Sequence, residues 1–122
     1  MKAKEYRIKV STYRRTLVLI VWGWKKYFNE EFWDLWYEYD LTTGFYYFDK
    51  KANCNVIWMY DYDISTLVHE LMHCTLEMLD QVWEKAEGEP PAYIYEELFT
   101  NIWMQCWDKF KLAEDVKKFY TK

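Results

Sequence analysis

Tyr6, Ile8 and Val10 alternate with Arg7 and Lys9, the period-two pattern of a strand with one face buried. Leu17 to Trp22 is an unbroken β-branched and aromatic run, which predicts a second, more deeply buried strand. From Lys25 to Tyr39 the apolar positions Tyr27, Phe28, Phe32, Leu35, Trp36 and Tyr39 recur at spacings of three and four, the stripe of an amphipathic helix. Thr42-Thr43-Gly44 ends it. Phe45 to Phe48 and Val56 to Tyr60 read as two strands joined by the polar loop Asp49 to Asn55. Asp61, Asp63 and Ser65 are each able to cap a following helix. Its stripe contains Ile64, Leu67, Val68, Leu71, Met72, Thr75, Met78, Leu79 and Val82. Lys85 to Pro91 is the clearest loop in the chain. A last helix is expected from Ala92 to Trp107, with a short piece near Ala113 to Tyr120. Strands and a helix followed by helices predict an α+β fold: a small antiparallel or mixed sheet packed against two or three helices.

A chain of 122 residues suits one domain. Aromatic residues make up 22%, enough bulk to fill a small core. The net charge of −4 argues against the broad basic field that dominates nucleic-acid affinity. The charge is uneven, however. Residues 1–26 contain eight Lys or Arg and one acid, Glu5. That basic edge reads either as a contact for phosphate or an acidic partner, or as a strand face kept from aggregating by its charges. Cys54, Cys74 and Cys106 are an odd number without a C-x-x-C pair, so reduced thiols in a cytoplasmic setting are expected rather than a disulfide framework. Thr16 to Trp24 follows a basic stretch, as a signal peptide's apolar region would, but Lys25 and Lys26 stand where a small-residue cleavage site belongs. The run is also far short of the ~20 residues of a membrane helix.

The only two histidines fall in His69-Glu70-Leu71-Met72-His73, an H-E-x-x-H motif inside the most strongly periodic segment. Residues four apart on a helix lie one turn above each other, so the two imidazoles can share one metal ion. Glu70 need not ligate and can take a proton from water as general base. On the helical wheel His69, His73, Glu77 and Asp80 share one side, away from the main apolar stripe. The alternative is a solvated helix face with incidental histidines. A catalytic zinc takes a third protein ligand and keeps the fourth position open. With no histidine or paired cysteine left, a carboxylate is the natural choice. Glu97 is preferred, with Glu96 as the alternative. Asn101, four residues after Glu97, is placed to orient a ligand. Acids in a helix's first turn would account for this pair without any metal. Tyr93 and Tyr95 are candidates for stabilising an oxyanion. Val56 to Tyr60 reads either as the edge strand lining a cleft, on which an extended peptide could pair, or as an interior strand.

Residues 56–105, with Val56–Tyr60, Ser65–Leu79 and Tyr95–Trp103 (YEELFTNIW), resemble a minimal HExxH metallopeptidase of the gluzincin type. They are similar, more closely, to small phage-encoded proteins that join strands, an H-E-x-x-H helix and a later Glu-bearing helix. The resemblance implies zinc on His69, His73 and Glu97, with Glu70 as base. It also implies a protein or peptide substrate and, for a phage product, the host cytoplasm. Leu98, Thr100 and Asn101 stand where the related pattern often has small residues and a Tyr. Two functions are expected to compete: a small zinc peptidase, and a phage-type binding or host-defence-inhibitor protein with a structural or vestigial metal site. No membrane partner is expected. A nucleic-acid module using the basic N-terminal strands is a weaker third reading.

Overall fold

The computed structural model describes residues 4–10, 14–22, 31, 43–82 and 88–111. The helix expected over 25–39, apart from Glu31, and the piece near 113–120 lie outside the described residues. Among the described residues, a four-stranded mixed sheet and the two long helices make an α+β fold.

Strands β1 (Lys4–Val10) and β2 (Arg15–Val21) pair antiparallel, with Ile8 opposite Leu17. Strand β3 (Gly44–Asp49) pairs antiparallel with β4 (Cys54–Met59), with Phe45 opposite Trp58. The turn between them is held by Asp49, whose Oδ1 accepts from the backbone N–H of Lys51 at 3.0 Å and of Ala52 at 3.2 Å. Strands β2 and β4 pair parallel, which gives the order β1-β2-β4-β3. Every residue of β4 is buried, and the strand has a partner on each side. The edge-strand reading of Val56 to Tyr60 is therefore corrected. Among the described strands β4 is interior, and β3 is the edge beside it.

The apolar runs follow from burial on both faces of β2 and β4. Leu17, Leu19, Val21, Ile57 and Met59 join Ile8 and Val10 on the face that receives the helices. Val18, Ile20, Phe45, Val56 and Trp58 form a second buried group on the opposite face.

Helix α1 spans Ile64–Gln81. Asp63 is its N-cap: its Oδ1 accepts from Ser65 N at 3.3 Å, and its Oδ2 accepts from Thr66 Oγ1 at 2.8 Å. At the other end Arg15 Nη2 donates to Gln81 O at 3.1 Å, setting a cation against the helix's negative pole. Leu67, Leu71, Cys74 and Met78 form its buried stripe. Helix α2 spans Glu89–Cys106 and starts earlier than expected, because Pro90 and Pro91 sit in its first turn, where a missing N–H costs no hydrogen bond. Its N-cap, Gly88, has φ 71°, in the left-handed region that suits glycine. Ile94, Leu98, Ile102 and Cys106 are its buried stripe. A 3₁₀ turn, Trp107–Lys109, follows.

Helix α1 packs over β3 and β4, while α2 packs over β1 and beside α1. A polar network ties α1 to the sheet. Fully buried Asn55 accepts through Oδ1 from Tyr46 Oη and, at 3.0 Å, from Gln81 Nε2. Its Nδ2 donates to Thr16 O and to Gln81 Oε1, both at 3.3 Å. The three cysteines are free and buried. Among the described residues no helix is long and apolar enough to cross a membrane.

Candidate metal centre

Helix α1 presents the H-E-x-x-H residues as the helical wheel requires. His69 and His73 are exposed, their rings 4.9 Å apart between centroids and inclined by 72°. Their Nε2 atoms are 3.3 Å apart. Two nitrogens bound at ~2.0–2.1 Å to one tetrahedral ion lie about 3.3–3.4 Å from each other, so the pair already has the spacing of two ligands of a single ion. Glu70 lies on the flank of the buried stripe, and its side chain is only 8% exposed. Its Oε1 is 3.7 Å from His69 Nε2. Ligand atoms of His69, Glu70 and His73 all fall within 4.8 Å of one another, and the group could bind a metal ion.

Glu70 and His73 open onto a cavity of about 250 Å³ whose other lining residues are Gly44, Phe45 and Tyr46 of β3. Gly44 permits that approach. A Cβ there would lie 2.6 Å from Thr66 Cγ2 and 3.1 Å from Trp58 O, with Glu70 Cγ at 3.7 Å. The first turns of α1 thus sit closer to β3 than any side chain at position 44 would allow. Burial pushes the Glu70 carboxyl above the ordinary carboxylate range, and the two imidazoles oppose that shift. Burial also pushes the hydroxyl of Tyr46, on the same wall, above its ordinary range. Its hydroxyl is engaged with Asn55 rather than directed at the histidines.

Neither Glu97 nor Glu96 belongs to the group around the histidines. The sheet order gives the reason. The α1 flank carrying Glu70 and His73 faces β3, whereas α2 stands on the β1 side of α1. Glu97 is about 120° around α2 from the centre of its buried stripe, and Glu96 is farther round. Asn101 donates from Nδ2 to the Glu97 carbonyl at 2.7 Å, one turn back on its own helix. Tyr93 is 63% exposed. Tyr95 stacks on Phe99, with ring centroids 6.4 Å apart and planes inclined by 7°, and neither tyrosine lines the cavity. Glu77 and Asp80 are exposed on the histidine side of α1, as the wheel predicts.

Sequence reasoning missed Gly44 and Tyr46. The sequence reads Gly44 only as the break after an expected helix, and the structure places it at the start of β3. Its second meaning, a strand residue approached closely by another element, needs the identity of that element. No family model, curated protein or solved structure matches this chain.

Proposed function

We propose that the protein is a zinc-dependent hydrolase of the metallopeptidase type, in which His69 and His73 hold the ion and Glu70 is the general base. The observation that carries this reading is the 3.3 Å separation of the two Nε2 atoms, with a buried carboxylate 3.7 Å away. Bound zinc would supply Lewis acidity toward water and a carbonyl oxygen. Glu70 takes the proton of the attacking water on a carboxylate oxygen and returns it to the leaving amine. Its burial suits that work, because a carboxylate of raised proton affinity is the stronger base at neutral pH. The wall formed by Gly44, Phe45 and Tyr46 bounds the space where a peptide carbonyl would sit beside Glu70 and His73. A protein or peptide substrate and action in a host cytoplasm follow from the resemblance to phage-encoded HExxH proteins.

Elemental analysis of the purified protein and its variants is the test. His69→Ala and His73→Ala should each abolish stoichiometric zinc, while Glu70→Gln should keep zinc and lose hydrolysis of a casein or peptide-library substrate. Zinc retained equally by both histidine variants would overturn the ligand assignment.

A second reading is a binding protein whose metal site does no chemistry. It is favoured by the lack of any acid from another described element in the ligand group. Zinc bound by His69 and His73 without turnover in the unaltered chain would select it.

A further inference from the structure

We propose that the outward face of the α1–α2 pair docks a cationic amphipathic segment of another protein. The proposal does not require a bound metal.

Three observations carry it. First, α1 leaves a row of large apolar side chains in water. Val68, Met72 and Leu76 are 43%, 48% and 42% exposed, and their spacing of four sets them one turn above another. The row starts about 160° around α1 from Glu70, so it runs along the flank turned toward α2. Second, α2 carries a ladder of aromatic rings. Phe99 and Trp103 stack with centroids 5.8 Å apart and planes inclined by 13°, and Trp107 continues the ladder 6.3 Å beyond Trp103. Trp103 and Trp107 are 39% and 59% exposed. Apolar rows of this length on a surface mark an interaction site, and aromatic side chains dominate the energetics of such sites. Third, neither helix contains a Lys or Arg, while Asp80, one turn beyond Leu76, and Glu96, one turn before Phe99, are exposed. The two described lysines that follow α2 are engaged elsewhere: Lys111 pairs with Asp61 at 3.1 Å, and Lys109 lies 5.9 Å from the Tyr62 ring.

The charge selects the occupant. A second copy would bring one acidic helix pair against another with no Lys or Arg on either, and like charges across an interface are disfavoured. A helix with Leu-type residues on one face and Lys or Arg beside them would fill the apolar rows and meet acids at the rim, as amphipathic helices do in apolar grooves.

The test is fluorescence anisotropy on the full chain with a labelled amphipathic peptide of Leu and Lys, and its counterpart with Glu for every Lys. The Lys peptide should bind at least about tenfold more tightly than the Glu peptide, and more weakly as salt rises from about 50 to about 500 mM. Met72→Glu and Trp103→Ala should each weaken it about tenfold. Asp80→Lys with Glu96→Lys should remove the preference for Lys over Glu. Circular dichroism would establish that these surface variants remain folded. Equal binding of the two peptides, or indifference to Met72→Glu, would overturn it. So would sedimentation showing a dimer that Met72→Glu dissociates, since the occupant would then be a second copy.

Discussion

Position 44 decides how near the cavity wall can come to the base. Gly44 heads an edge strand, and its missing Cβ leaves room for Thr66 on the first turn of α1. Thr66 is itself held by Asp63 at 2.8 Å, so it cannot swing clear without loosening the helix cap. Gly44→Ala should therefore cost about 1–3 kcal/mol in urea denaturation, the range of overpacking in a close contact. The companion variant Thr66→Ser deletes the opposing methyl and keeps the hydroxyl bonded to Asp63. It should recover part of the loss in the Gly44→Ala background. Full stability of Gly44→Ala alone would show that β3 and α1 yield more easily than their contacts imply. The histidines were readable at this scale because helical spacing alone fixes their mutual position. Gly44 was not, because its role is a contact between residues distant in sequence.

At the level of elements, the strands and α1 were legible within a few residues because alternation and the three-four spacing are local signals. The start of α2 was misplaced because prolines were read as loop residues, whereas Pro90 and Pro91 occupy the first helical turn. The third ligand is a question at the same level, and the described group holds no acid from α2. Spacing from His73 allows α2 to return beside α1, but it does not say on which side. The sheet puts α2 toward β1 and the site toward β3, and Glu97 lies about 120° around α2 from the centre of its buried stripe. Geometry then gives a sharp outcome. Glu97→Gln and Glu96→Gln should each leave zinc stoichiometry and affinity unchanged, measured by competition with a chromophoric chelator. A loss of affinity of tenfold or more in either variant would mean that the helix pair rearranges when the ion binds.

Over the whole molecule, the α+β class was readable from the order of patterns, but the sheet order was not. The parallel pairing of β2 with β4 joins strands separated by a long stretch of sequence, and no local signal encodes that partnership. Strands β2 and β4 are buried on both faces, and the helix-side core runs from Ile8 through Leu19 and Ile57 to Leu71 and Leu98. His69 and His73 lie outside both buried groups. On the proposed reading the ion would sit outside the core, so bound zinc should act by linkage alone. At free zinc about 100 times its dissociation constant, linkage adds about 2.7 kcal/mol, which for a domain of this size corresponds to a shift in Tm on the order of 10 °C. A chelator should remove that shift while leaving far-ultraviolet circular dichroism at room temperature unchanged. His69→Ala and His73→Ala should show the lower Tm with or without zinc. Glu70→Gln should keep the zinc-dependent shift, because it lacks only the group that moves protons. A chain that unfolds at room temperature when the metal is withdrawn would contradict this, for the ion would then hold the core together rather than sit at its surface.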